Sequence, residues 1–318
     1  MTELMLPALE GSNPLGFLAA LGVLDTVDRA GYAVTLRWTD DLVPQAVLGG
    51  AGDLDEVIDV LDRDRSRWSS SLVLAFPPGK PLSDAKPDAK LLTQWFRAAA
   101  DARDGSDADM LCAIVAEGAF DRSGKAKPTH LHFTAGQQQF LEMVRTLAAE
   151  VDAERLREAI CGPWRHDSPM PSLSWDARGE RVYAVRATNP SGEKRLGVPG
   201  ADWLAFRGLI CYPVTLDGRS LRTTGCDADW KRSAFRWPLW SVPASSRVIR
   251  SLVGDASLVS EEAWGVRRRR TRPSPSDLAA RGVISVLECP IRRSDQGGYG
   301  SFGGPTTLVE SAMPAAGS

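Results

Sequence analysis

The sequence predicts an α+β fold in which a mostly helical, acidic N-terminal lobe packs on a β-rich, basic C-terminal lobe. Apolar residues recur at helical spacing in the first half, whereas alternating segments and a hairpin signal dominate the second half. The charge also changes sign, since residues 1–160 carry 16 Lys and Arg against 25 Asp and Glu, and residues 161–318 carry 22 against 15. We therefore divide the chain into a helical lobe at 1–161, a β-rich basic lobe at 162–304 and a flexible tail at 305–318.

The first predicted elements are a short strand and a helix. Leu4 to Leu9 is apolar and is followed by GSNPLGFLAALGVLDTVDRAG. Ser12 or Asn13 is suited to cap a helix, and Pro14 fits the first helical position, where the backbone N–H has no partner. The helix is predicted to end at Gly31. Small residues on this helix leave room for another backbone to come close; they are Gly16, Ala19 and Gly22.

The rest of the first half is predicted to be mainly helical, with a few strands. In chain order its elements are a strand at 34–38, a helix capped by Asp53, a buried strand at 71–76, helices around Trp95 and Met110, a short strand at 131–133, a helix opened by a capping box of Thr134 and Gln137, and a helix ending at Gly162.

The second half is predicted to contain more strands. Asp217-Gly218 lies between two strand-like segments and is a strong hairpin signal. Pro238 predicts an edge strand at 234–240 because proline cannot donate a ladder hydrogen bond. The other predicted elements are a strand at 181–188, a helix around Ile249, a strand at 283–287 and a glycine-rich loop at 294–304.

The bulk composition excludes several classes of protein. There is no run of eighteen apolar residues, so no membrane span is expected, and the opening MTELMLPALEG is unlike a secretion signal. The five cysteines are far apart and never in a CxxC pair, which argues against a disulfide framework or a zinc knuckle. We expect a cytoplasmic protein without a bound cofactor.

Arginine-rich stretches of the second half are the candidate nucleic-acid interface. Arg267 to Arg270, followed by Arg272, places five arginines in six positions with no acid between them. Such a run is typical either of a solvated loop or of phosphate contact, which releases counterions and makes binding depend on salt. The residues that we predict to contact nucleic acid are Arg181, Arg186, Lys194, Arg195, Arg207, Arg267, Arg268, Arg269, Arg270 and Arg272.

Two further groups could extend this surface. Lys231, Arg232 and Arg236 lie among tryptophans, in the sequence DWKRSAFRWPLW, although alternation along a strand prevents all of them from sharing one face. The glycine-rich loop carries Tyr299 and Phe302, which could stack on bases, but such loops are more often simply mobile.

Histidines provide the main alternative. His130 and His132 lie in the sequence HLH, which puts two imidazoles on one face of a strand, and His166 could be a third ligand. These residues would make the chain a metal-assisted hydrolase. The sequence has no HExxH motif and no GxSxG motif, so we predict neither a metal site nor a catalytic residue. A third alternative is a structural adaptor whose basic lobe binds an acidic protein.

The opening LEGSNPLGFLAALGVLDTVDRAG resembles the start of proteins from subtype I-G (formerly I-U) CRISPR-Cas systems. In those proteins a Gly-Ser-Asn-Pro or similar turn leads into a small-residue helix that ends Ala-Leu-Gly-Val-Leu. The elements Trp175-Asp176 and Trp203-Leu204 agree loosely with the same proteins. The residues of the opening that carry the resemblance are Asn13, Pro14, Phe17, Ala20, Leu21, Gly22 and Leu24.

The resemblance implies a large-subunit-like or accessory component of an antiviral effector complex. Its partners would be other CRISPR effector subunits and guide RNA or target DNA. The chain has no helicase motif and no HD-nuclease motif, so the nuclease activity of such systems is not carried over. We therefore expect a non-catalytic, RNA- or DNA-contacting subunit.

Overall fold

The computed structural model has the α+β fold that the sequence predicts. It describes residues 2–102, 105–134, 137–178, 196–259, 273–293 and 299–312. The predicted strand at 181–188 lies outside these residues. One large hydrophobic cluster contains side chains from both halves of the chain, including Phe17, Trp95, Phe206 and Trp237.

The elements are numbered here in chain order among the described residues. Those of the first half are β1 (Glu3–Glu10), α1 (Pro14–Arg29), β2 (Thr35–Trp38), β3 (Gln45–Gly49), α2 (Leu54–Trp68), α3 (Leu72–Ala75), α4 (Ala89–Ala100), α5 (Ser106–Ile114), β4 (Val115–Phe120), β5 (Ala126–Pro128), α6 (Phe140–Glu150) and α7 (Ala153–Cys161). Those of the second half are α8 (Pro199–Gly208), a 3-10 turn (Leu209–Cys211), β6 (Val214–Asp217), β7 (Ser220–Thr223), β8 (Ala234–Trp240), α9 (Ser246–Val253), α10 (Ala256–Val259), α11 (Pro275–Ala280), β9 (Val283–Arg293), β10 (Gly300–Phe302) and β11 (Thr306–Glu310).

Helix α1 is buried along nearly its whole length and crosses α8 at very short range. A Cβ atom on Gly22 would lie 1.9 Å from the carbonyl oxygen of Leu204, and one on Gly208 would lie 1.9 Å from that of Leu18. Glycine at both positions is therefore what lets the two backbones touch. The expectation that Gly16 and Gly22 leave room for another backbone is confirmed, since a Cβ on Gly16 would lie 2.6 Å from the Glu10 carbonyl oxygen.

Strands of the N-terminal sheet are tied to the second half of the chain. The sheet has the order β1-β3-β2 and is antiparallel. Leu36 in β2 forms a bridge with Ala244, and the indole N–H of Trp240 donates to the Leu36 carbonyl oxygen at 2.7 Å. The indole of Trp237 donates to the Gly11 carbonyl oxygen at 2.8 Å. The aromatic side chains of β8 thus pack directly on the start of the chain.

A second antiparallel sheet is centred on β9, which pairs with β8, β10 and β11. Among the described strands β8 pairs along its length with β9 alone, so its predicted position at a sheet edge is confirmed. All seven side chains of β8 are nevertheless buried: the Trp237 side chain contacts the start of the chain, and the outer edge of the strand is bridged by Cys226 opposite Phe235. The predicted hairpin is also confirmed, since β6 and β7 pair, but its two-residue turn is Gly218-Arg219 rather than Asp217-Gly218, because Asp217 pairs with Ser220 and Gly218 has φ +60°.

Several local predictions of the sequence are wrong, including the glycine-rich loop at 294–304, in which Gly300–Phe302 forms strand β10 paired with β9. Residues 71–76 form a helical turn, α3, because the Ser71 side chain caps it by accepting from the Leu74 N–H. A short apolar run does not distinguish a buried strand from a buried helix. Residues 131–133 do not form a strand, because the chain turns at 130–131, where the His132 N–H donates to the Thr129 carbonyl oxygen. The predicted tail contains β11, paired with β9 through Thr306 opposite Glu288.

A further correction concerns the predicted capping box. Helix α6 begins at Phe140 with Gln139 as its N-cap, and not at Thr134. The Thr134 hydroxyl lies 3.2 Å from Nε2 of His132 and is therefore engaged in a different contact. Within the part of the chain that the structure describes, no helix is long and apolar enough to cross a membrane.

Replacing Gly22 with alanine tests the close crossing of α1 and α8. Helix propensity alone predicts that Gly22→Ala stabilises the protein by about 1 kcal/mol. The added methyl group would instead overlap the Leu204 carbonyl oxygen, so we expect the free energy of unfolding to fall by about 2 kcal/mol or more. Urea denaturation measures this difference.

Gly304→Ala is the matched control, because a Cβ atom there meets nothing within 4 Å. We expect it to change the free energy of unfolding by less than about 0.5 kcal/mol. A Gly22→Ala variant as stable as the parent protein would contradict the crossing.

Candidate functional site

Nine of the ten residues predicted to contact nucleic acid lie outside the described residues. Four of them belong to residues 179–195 and five to residues 260–272. Arg207 is the exception, and it lies in α8 with no exposed side-chain surface.

Arg207 is an interior ion-pair residue, which corrects its assignment to the nucleic-acid surface. Its Nε donates to Asp64 Oδ2 at 2.9 Å, and its Nη2 lies 3.6 Å from Asp25 Oδ2. The guanidinium carbon lies 4.2 Å from the ring centroid of Trp68. Sequence spacing could not reveal this, because the nearer of the two carboxylates along the chain, Asp64, is 143 residues away.

Asp25 pairs with two further arginines, one a helical turn away on α1 and one from the second half of the chain. Arg29 donates to its Oδ2 at 2.9 Å and Arg250 to its Oδ1 at 2.7 Å, while the Asp25 side chain is only 3% exposed. Arg207 and Arg250 belong to the basic half, whereas Asp25 belongs to the acidic half. Part of the charge asymmetry is therefore neutralised inside the molecule.

Arginine on β8 is paired in the same way. Arg236 forms a bidentate pair with Asp227, at 2.7 and 3.1 Å, and its Nε donates to Glu288 at 2.6 Å. Arg236 and Trp237 are both buried, so neither extends an exposed surface. Lys231 and Arg232, which precede them, are exposed.

A junction between the opening turn and the Trp-Asp element lies at the edge of the segment 179–195. Asn13 caps α1 by accepting from the Leu15 N–H at 3.1 Å, and its Nδ2 donates to Asp176 Oδ1 at 2.9 Å. The N–H of Arg178 donates to the same oxygen, and the Arg178 guanidinium pairs with Glu10. Two elements of the resemblance, 163 residues apart, are thus joined by one hydrogen bond.

The described residues on either side of segment 179–195 lie close to one loop, at residues 162–178. Arg178 precedes the segment, and Gly197, just after it, bridges to Ser168. In the same loop His166 has φ +53° and Ser174 has φ +63°. Positive φ is uncommon for residues with side chains and is concentrated at functional sites. His166 Nε2 lies 3.6 Å from Asp176 Oδ2.

Asp202 fixes the start of α8 to this loop. Its Oδ1 accepts from the Leu173 N–H at 3.2 Å, and its side chain is fully buried. Burial raises the pKa of Asp202 to about 8, despite the hydrogen bonds from Leu173 and Ser172. This carboxyl is therefore mostly protonated at neutral pH, a feature that the sequence did not signal.

The three histidines lie in separate environments and do not converge on one site. His130 Nδ1 lies 3.0 Å from the Thr223 hydroxyl, and burial lowers the pKa of His130 to about 4. His132 Nε2 lies 2.6 Å from Asp84, and burial lowers the pKa of His132 as well. His166 lies beside Asp176.

No group of three or more His, Cys, Asp or Glu side chains in the described ranges could hold a metal ion. The hydrolase alternative therefore lacks a metal site among its three proposed ligands, all of which are described. Burial also raises the pKa of the Cys211 thiol to about 12, which makes it a poor nucleophile.

The sequence matches no protein-family model, and no curated protein matches it at a significant level. The resemblance of the opening helix therefore remains an expectation.

The buried Asp202 predicts a pH-dependent stability that Asp202→Asn removes. A carboxyl with a raised pKa takes up a proton on folding, so its contribution to stability falls as the pH rises from about 4 to about 8. Between pH 5 and pH 7 the free energy of unfolding of the parent should fall relative to that of Asp202→Asn by about 1.4 kcal/mol per pH unit. Urea denaturation at several pH values gives this difference.

Asp40→Asn, at an exposed position, is the control for the chemical change from carboxyl to amide. Parallel stability curves for the parent and Asp202→Asn would mean that Asp202 is ionised in the folded protein.

Proposed function

We propose that the chain is a non-catalytic subunit or accessory protein of a CRISPR-Cas antiviral effector complex that contacts guide RNA or target DNA. The observation that carries the proposal is the run Arg267 to Arg272, five arginines in six positions. Phosphate contact explains such a density of guanidinium groups better than solubility does. The resemblance of the opening sequence to proteins of subtype I-G systems is the reason for proposing a CRISPR-Cas complex.

Ion pairs within the protein reduce the number of arginines that we expect to contact a polyanion. Arg207, Arg236 and Arg250 are matched to carboxylates, so the polyanion is expected to meet the arginines of the two basic segments, 179–195 and 267–272. The hydrogen bond between Asn13 and Asp176 holds the entry to the first of these segments.

An adaptor role is the second candidate, because acidic and basic groups of this protein already pair across its two halves, as in Arg250 with Asp109 and Asp25. In that case the basic segments would bind an acidic protein. The full chain would then purify with a ratio of absorbance at 260 and 280 nm typical of protein alone, and it would not bind oligonucleotides.

Replacing Arg267 to Arg270 with alanine tests the nucleic-acid proposal. Fluorescence anisotropy with labelled single-stranded RNA, single-stranded DNA and duplex DNA, over a range of salt concentrations, gives the affinity and its salt slope. We expect weaker binding and a slope that is smaller by about 3, because each neutralised phosphate contributes roughly 0.7 to 0.9 to the slope.

The matched control removes four exposed cations from the acidic half, Lys80, Lys90, Arg97 and Arg122, and should leave the salt slope unchanged. If the parent protein and the Arg267–Arg270 variant bind the oligonucleotides with equal affinity, this run does not contact nucleic acid.

A further inference from the structure

An exposed surface beside β9 and β10 combines aromatic rings with cations. We call it the Trp230 surface, and it consists of Trp230, Lys231, Arg232, Arg293 and Tyr299. The loop that carries Trp230 lies against the end of β9, since the Ile291 N–H donates to the Ser233 carbonyl oxygen at 2.8 Å.

Arg293 connects the parts of this surface. Its guanidinium carbon lies 3.6 Å from the ring centroid of Trp230, within the range of a cation–π interaction. Its three nitrogens donate to the carbonyl oxygens of Trp230, His132 and His130, at 3.1, 3.1 and 2.6 Å. The side chain is thereby held rigidly against one tryptophan ring.

These contacts of Arg293 orient the cation without neutralising it, because a carbonyl oxygen carries no net charge. Burial lowers the pKa of Arg293 to about 10, which still leaves it protonated at neutral pH. The same positive charge helps to lower the pKa of the neighbouring His130. Two acids lie nearby. Asp227 is paired with Arg236, and its charge raises the pKa of His130, against the effect of Arg293. Asp229 accepts a hydrogen bond from the Lys231 N–H.

Exposed side chains are the chain neighbours of the residues that contact or pair with Arg293. Lys231 and Arg232 are exposed, and Trp230 is half-buried. Tyr299 is 49% exposed and immediately precedes Gly300, whose Cα pairs with that of Arg293 across β9 and β10. The second aromatic of the predicted loop, Phe302, is fully buried and packs against Phe133 and Phe235, so it cannot meet a base.

We infer that the Trp230 surface binds a single strand of nucleic acid, with bases stacked on Trp230 and Tyr299 and phosphates held by Lys231 and Arg232. The inference rests on the proposed function and names the form of nucleic acid that is bound. Only unpaired bases expose their faces to aromatic side chains, and stacking of this kind tolerates any base. An acidic peptide would use the cations but would gain little from the two rings.

The charges are tested with Lys231→Gln/Arg232→Gln in the full chain. Anisotropy with labelled 20-nucleotide dT and rU oligomers gives the affinity at several salt concentrations. With two fewer phosphates neutralised, the salt slope should fall by about 1.4, at roughly 0.7 per phosphate for a single strand. Lys90→Gln/Arg122→Gln removes two exposed cations elsewhere and should leave the slope unchanged.

The stacking is tested with a pair of variants at Tyr299. Tyr299→Ala should weaken binding by about 5-fold or more, which corresponds to the removal of one stacked base. Tyr299→Phe keeps the ring and should bind like the parent protein. Unfolding temperatures of both variants equal to that of the parent exclude a folding defect, and ultraviolet cross-linking of the oligomer should label the peptides that contain Trp230 and Tyr299.

The outcomes separate this inference from the proposed function. If the parent protein binds no oligonucleotide, both fail. If it binds and the Arg267–Arg270 variant is impaired, but the variants of the Trp230 surface bind normally, only this inference is overturned. Binding of blunt duplex DNA as tightly as the single strands, or of poly-glutamate in competition with them, would also overturn it.

Discussion

Direct backbone contact between α1 and α8 holds the two halves of the chain together. Gly22 and Gly208 bring the two buried backbones into contact, and this crossing joins the first thirty residues to the second half of the chain. Arg207 leaves α8 at the same crossing and reaches Asp25 on α1 and Asp64 on α2. Removing water from these charges is costly, so the ion pairs specify how the helices dock more than they add net stability.

This arrangement changes the meaning of the charge asymmetry. A basic half and an acidic half suggest an outside polyanion when they are read along the sequence. In the folded protein, several arginines of the basic half are instead neutralised by carboxylates, and three of them, Arg178, Arg207 and Arg250, reach acids of the first half. Arg293 is an exception among the described arginines, since carbonyl oxygens rather than carboxylates hold its guanidinium group beside Trp230.

The sequence predicts best those features that depend on residues close together in the chain, such as helix caps and tight turns. The cap, for which the sequence offers Ser12 or Asn13, and Pro14 at the first helical position act within a few residues, and the structure has Asn13 and Pro14 in these roles. The hairpin also forms where the sequence places it, with its two-residue turn one position later, at Gly218-Arg219. The strand predicted at 71–76 is a helical turn, because four apolar residues suit either conformation and the Ser71 cap decides between them. Residues 306–310 carry no clear strand pattern, because pairing with β9 is what makes the chain extended there as β11.

Periodicity, turn chemistry and spacing were enough to predict the α+β class, the opening helix with its small-residue face and the lack of common catalytic motifs. These are properties of short stretches of chain, which can be recognised before the chain is folded. The interior position of Arg207, the protonation of Asp202 and the shared surface of Trp230, Arg293 and Tyr299 emerged only from the three-dimensional packing. Burial and charge pairing depend on residues tens to hundreds of positions apart, so no local pattern encodes them.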